Sequence, residues 1–171
     1  MKRALGVILL LMGLVAIAQG APPVKGAHSD QPISIKSNEL FTDSKNRTAT
    51  FSGKVTARQG DMTLYADRLV VHYKQEGGDI DRVEAFGNVK VVQGDRLATA
   101  NEGVYFNSEQ KIVLTGDPKV YQGSDMVSGK VITYYVNEER SVVTGSADSR
   151  VEAVIHPKDK KNKGNDGSPK R

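Results

Sequence analysis

Four glycines recur along this chain, Gly53, Gly87, Gly116 and Gly145, spaced by 34, 29 and 29 residues. Seven residues after each of the first three stands a second glycine: Gly60, Gly94 and Gly123. Six residues further on comes a small side chain, at Ala66, Ala100 and Gly129, and Ser37 holds that place in an earlier, incomplete unit. The one long spacing is taken up by a polar insert, Gln75-Glu76-Gly77-Gly78-Asp79. A repeat of this period restricts the chain to an architecture that stacks one supersecondary unit on the next.

The unit reads as a pair of strands. Polar clusters at Asp43–Asn46, Lys74–Asp79, Asn107–Gln110 and Asn137–Arg140 alternate with tighter turns at Gly60-Asp61, Gly94-Asp95 and Gly123-Ser124-Asp125. No helical period runs through the apolar positions between them, so the domain is expected to be all-β. The small residues stand at equal distances from the turns, which makes them lateral neighbours in an antiparallel sheet. Such a row is a crease along which all the strands can bend together. Apolar residues keep one face on both sides of each repeating glycine, as in Ala49, Phe51, Val55 and Ala57. On the returning strand the apolar face changes parity at the small residue, from Leu64 to Leu69 and Val71, as a bulge there would produce. The expected fold is a folded antiparallel sheet of strand-pair repeats, apolar inside and polar outside.

The inner face that follows from this parity carries Ile33, Ile35, Phe51, Val55, Leu64, Leu69, Val71 and Val89. It continues through Val91, Tyr105, Ile112, Leu114, Val120, Val127, Ile132 and Tyr134. Two readings are open. The halves could close as a sandwich core, giving a structural β-repeat protein of the cell envelope without cargo. Alternatively they could stay apart and hold something apolar. Medium β-branched residues dominate and tryptophan is absent, whereas a dry two-sheet core normally adds larger aromatics.

The ends of the chain have a different character. Lys2 and Arg3 precede an apolar run, Ala4–Ala18, closing on Ala16-Ile17-Ala18. That is the pattern of a secretory signal peptide over residues 1–21, cleaved near 18–21. Residues 22–29 read as a loop, 30–155 as the β domain and 156–171 as a disordered basic tail. The formal charge of +4 is misleading about partners, because residues 19–157 hold 16 Lys/Arg against 18 Asp/Glu. With the basic charge confined to the termini and an export signal present, nucleic acid is excluded as a partner.

Catalytic and cofactor readings fail by elimination. There is no cysteine, hence no thiolate nucleophile and no cysteine metal site. His28, His72 and His156 have neither metal-ligand spacing nor a partnered nucleophile. The segment from Gly87 to Gly94 lacks the lysine and following helix of a phosphate loop. Asp67 and Asn101 recur one residue after the small position, which fits hydrogen bonding at a bulge. No enzyme activity, metal or cofactor is expected.

Several stretches together resemble the OstA-like (organic solvent tolerance) family. These are Asp30-Gln31-Pro32-Ile33-Ser34-Ile35-Lys36-Ser37, the Gly-x-Val-x-Val-x-Gln-Gly run at Gly87–Gly94, Ala66-Asp67, and Gly129 with Ile132-Thr133-Tyr134. The resemblance spans about residues 30–155. It implies an open V-shaped β-jellyroll in the periplasm that shields the acyl chains of lipopolysaccharide. It further implies end-to-end homo-oligomers that bridge inner and outer membranes with other envelope jellyrolls of the family. By position, Ile33, Ile35 and Tyr105 would match the family's lipid-contacting places, and Val91 a place where an aromatic can occur.

Overall fold

The computed structural model describes residues 32–157. The expected signal peptide, the loop over 22–29 and nearly all of the basic tail lie outside the described residues. Twelve strands follow in chain order: β1 (Ser34–Lys36), β2 (Glu39–Asp43), β3 (Thr48–Gln59), β4 (Met62–Tyr73), β5 (Ile80–Gln93) and β6 (Arg96–Phe106). The rest are β7 (Lys111–Thr115), β8 (Lys119–Gln122), β9 (Asp125–Ser128), β10 (Val131–Tyr135), β11 (Arg140–Thr144) and β12 (Glu152–Val154). All pairings are antiparallel, and no helix occurs among the described residues. Segments such as MTLYADRLVVHY in β4 are rich in β-branched and aromatic side chains that suit a pleated, half-buried surface.

The long strands β3 to β6 change register at one shared level. Ser52 pairs with Arg68 but Val55 with Ala66; Arg68 with Phe86 but Tyr65 with Lys90; Phe86 with Glu102 but Val89 with Ala100. At that level Gly53 and Lys54 have φ of 78° and 51°, Gly87 and Asn88 72° and 48°, and Gly116 and Asp117 73° and 59°. Two successive left-handed residues swing a strand sharply and add a residue that its neighbour lacks. A Cβ on Gly53, Gly87 or Gly116 would collide with the side chain of Asn38, in the bend between β1 and β2, of Asp67 on β4 or of Asn101 on β6. Glycine thus leaves a hollow, and an Asn or Asp fills it. The Asp67 carboxylate also accepts a hydrogen bond of 2.8 Å from Asn88 Nδ2.

One detail departs from the sequence reading. The surplus residue sits on the glycine strands, between Ser52 and Val55 and between Phe86 and Val89, and not on the returning strands. The parity change nonetheless falls on β4, where Ala66, Leu69 and Val71 are all buried. A one-residue register offset obliges one partner to change face. The paired left-handed residues turn the glycine strand back onto its own face, so the returning strand changes.

The crease divides the sheet into two leaves of eight strand segments each. One runs β2, β3, β4, β5, β6, β7, β10, β11, and the other β1, β3, β4, β5, β6, β8, β9, β12. Strands β3 to β6 run through both leaves. Later strands are interrupted at the crease by Gly116-Asp117-Pro118, by Gly129-Lys130 and by the segment 145–151. The core clusters on the inner face around Val55 (1% exposed), Leu69, Val89 and Ile132 (1%).

Candidate functional site: an apolar cleft between the leaves

Side chains from both leaves line one cleft of about 700 Å³ of empty volume, open solvent included. Ile33, Ile35, Ala57, Leu64, Val89 and Val91 come from the second leaf. Leu69, Val71, Ile80, Val83, Ala85, Tyr105, Ile112 and Leu114 come from the first, with Gly103 and Val104 completing the lining. The facing of these two sets makes the fold an open jellyroll, with the crease at its apex. Among the lining side chains only Tyr105 carries a polar atom. Its hydroxyl donates to Asn107 Oδ1 at 3.2 Å, and burial pushes its pKa up to about 12 although Gln110 pulls the other way. The cleft can hold hydrocarbon, and it offers no charge for catalysis.

The rim beyond Tyr105 is a fixed polar network. Asn107 Nδ2 donates to the Ile80 carbonyl at 2.9 Å, and Gln110 Nε2 to the Asn107 carbonyl at 2.7 Å. These bonds tie the β6–β7 turn to the start of β5, across the insert that lengthens the second repeat.

Ten of the sixteen inner-face residues read from sequence meet in this cleft: Ile33, Ile35, Leu64, Leu69, Val71, Val89, Val91, Tyr105, Ile112 and Leu114. Six do not line it. Val55, Val120, Ile132 and Tyr134 are 1–3% exposed and belong to the packed interior. Phe51 packs against the core from its margin, and Val127 is half-buried on β9. The sequence reading left out Ala57, Ile80, Val83, Ala85, Gly103 and Val104. Ala57, Val83 and Ala85 have the inner-face parity that alternation assigns them, and a smaller side chain widens the space without leaving the wall.

The histidines serve structure. His72 Nε2 lies 2.8 Å from Glu84 Oε2 on the outer face, and Arg82 Nε donates to Glu84 Oε1 at 3.0 Å. Burial alone would raise the Glu84 pKa, but the bonds from His72 and Arg82 hold it below the ordinary value. A carboxylate with a depressed folded pKa adds stability above its unfolded pKa, and that stability fades as pH falls through the folded value. Glu84→Gln should therefore lower stability at neutral pH and flatten its decline below about pH 4.5, as denaturant titrations across pH 2.5–7 would read. An unchanged acid limb would show that other carboxylates set it. His156 pairs with Asp125 at 3.3 Å, and His28 lies outside the described residues. Among the described residues no group of three or more metal-ligating side chains comes together.

With this geometry, known proteins are informative. A family model described as "LptA/(LptD N-terminal domain) LPS transport protein" matches residues 34–140. An uncharacterized protein of Rhizobium meliloti (strain 1021) is 38% identical over 95 residues, 52% of this chain and 51% of its own length. The chain therefore spans about half of that relative. Among solved structures, LptH of Pseudomonas aeruginosa superimposes with a TM-score of 0.66 at 21% identity, over 75% of this chain and 98% of its own. It is described as the LptA-homologous periplasmic component of the lipopolysaccharide transport device. The likeness is one of fold: an all-β open jellyroll.

Proposed function

This chain belongs to the LptA/LptD N-terminal-domain family of lipopolysaccharide-transport proteins, and from that membership we propose that it is a periplasmic carrier holding lipopolysaccharide acyl chains in the cleft between its leaves. The supporting observation is an apolar cleft lined from both leaves and left open. A closed sandwich core would have filled that space. Hydrocarbon released into water costs about 0.8 kcal/mol per CH₂, so a chain crossing an aqueous compartment needs a continuous apolar wall. The carrier needs no active site for this, since the energy of movement enters elsewhere.

The unpaired edges support end-to-end assembly with further copies or with related envelope jellyrolls. At one end of the stack β1 and β2 are edges, and β2 exposes Leu40 (57%) and Phe41 (66%). At the other, β11 and β12 are edges, with Val151, Val154 and Ile155 (62%) exposed around β12. Open apolar edges are templates for strand addition. Joining unlike ends is a heterologous contact that propagates, and each leaf would extend its counterpart so that one cleft continues into the next.

Photo-crosslinkers at Ile35, Val91 and Tyr105 test the carrier reading. They should capture lipopolysaccharide in intact envelopes, while one at the exposed, outward-facing Lys90 should not. Equal labelling at all four would sink it.

A further inference from the structure

At the turn-side rim of the second leaf the apolar lining gives way to a row that is polar except at the buried Met62. Antiparallel pairing aligns Gln59, Met62, Gln93, Arg96, Gln122 and Asp125 across β3, β4, β5, β6, β8 and β9. Alternation puts this row on the cleft face. Gln93 stands two residues beyond Val91, which lines the cleft, and Arg96 two before the buried Ala98. Gln59, Gln93 and Gln122 each precede a turn glycine, so the repeat installs an amide at this level three times. The cation is installed once: the places equivalent to Arg96 are Met62 and Asp125.

Arg96 is half-buried and joins none of the ion pairs formed among the described residues. A partly desolvated guanidinium without an anion is an unfavourable arrangement unless a ligand completes it. The nearest carboxylate in the row, Asp125, lies two strands away and accepts a 2.8 Å bond from the His156 amide. Asp95, next in sequence, lies exposed in the turn between β5 and β6. Gln93 and Gln122 are the direct lateral neighbours of Arg96, on either side. In the facing leaf the Tyr134 hydroxyl is buried with no hydrogen-bond partner among the described residues. Burial pushes its pKa up to about 12, Glu139 adds to the rise, and Arg96 opposes it.

We propose that Arg96, flanked by the Gln93 and Gln122 amides, is a phosphate-binding station at the mouth of the cleft, holding the phosphorylated head group of an amphiphile whose chains lie along Val91 and Ile35. This rests on the carrier reading above. A planar guanidinium matches two phosphate oxygens at once, and the Gln122 amide supplies a further donor at lateral-neighbour spacing, whereas the Gln93 amide donates to the Asp61 carboxylate at 3.3 Å and would have to turn from it to join them. The rim is also where the head group of a lipid seated in the cleft must meet water.

The test compares diphosphoryl lipid A with the same lipid stripped of phosphate, binding to the wild type, Arg96→Gln, Arg96→Lys and Ile35→Asp, with melting temperature as the folding control. Arg96→Gln should lose about tenfold or more in affinity for the phosphorylated lipid, the loss expected for a charge-assisted bond. Its affinity for the stripped lipid should stay at the wild-type value. Arg96→Lys should fall between, keeping the charge without the fork. Ile35→Asp should weaken both lipids alike. An equal effect of Arg96→Gln on the two lipids, or none, would overturn the station and leave the carrier standing. Wild-type protein that binds neither lipid would overturn the carrier and the station together. Inorganic phosphate alone saturating the Gln93 and Gln122 side-chain amide signals at micromolar concentration would make this a free-phosphate site and overturn the head-group assignment.

Discussion

Gly87→Val should lower the free energy of unfolding by about 3 kcal/mol or more, the sum of three effects at one position. At φ of 72° a β-branched residue pays the left-handed penalty, about 1–2 kcal/mol. Its Cβ would also occupy the hollow that the Asp67 carboxylate fills. Moving Asp67 breaks its bond with Asn88, worth about 1 kcal/mol. Gly94 separates strain from crowding, because its φ is 57° but nothing stands within 4 Å of an added Cβ. Gly94→Ala should cost only about 1 kcal/mol. Denaturant midpoints with unchanged slopes would read both values. Equal losses at the two glycines would mean that crowding at the crease contributes nothing.

The crease was legible because the backbone demands it in the same way several times. A left-handed residue followed by a close neighbour favours glycine strongly, and a period of about 29 residues repeats that signal until chance is a poor explanation. Gly145 belongs to the same series, yet its φ is not positive. There the strand simply stops, so a break and a bulge look alike in sequence. The residue after each glycine was less visible. Asn88 and Asp117 tolerate the left-handed region, but Lys54 does so with no compositional hint. Asn38, which packs on Gly53 as Asp67 packs on Gly87, follows Ser37 as Asp67 follows Ala66, so the repeat marks its place even in the incomplete first unit.

The cleft was legible in face but not in depth. Alternation separates inner from outer residues whether the leaves touch or not, so Ile112 in the cleft and Ile132 in the packed interior carry the same signal. What distinguishes them is how far the facing leaf stands away, a tertiary quantity that no periodicity encodes. Ala57 and Ala85 were passed over because a sequence reading seeks a wall in its large side chains, whereas small ones make the room.

Ile35→Asp should reduce co-purified lipopolysaccharide by about tenfold or more, the consequence of asking a bound acyl chain to bury an unpaired carboxylate. The same substitution should shift the melting temperature by only a few degrees. β1 is a three-residue edge strand paired to β3 alone, and Ile35, opposite Ala57, packs on the core from its margin. In the empty protein an Asp there can be hydrated at the cleft mouth; in the loaded protein it cannot. The penalty thus falls on the complex and not on the fold. Ile132→Asp reverses this, since Ile132 is 1% exposed and its carboxylate would be buried in both states. That variant should fail to fold before any question of cargo arises. Quantifying lipid per protein by mass spectrometry alongside thermal melts separates the cases. Undiminished lipid on folded Ile35→Asp would show that the chains run elsewhere than along the cleft.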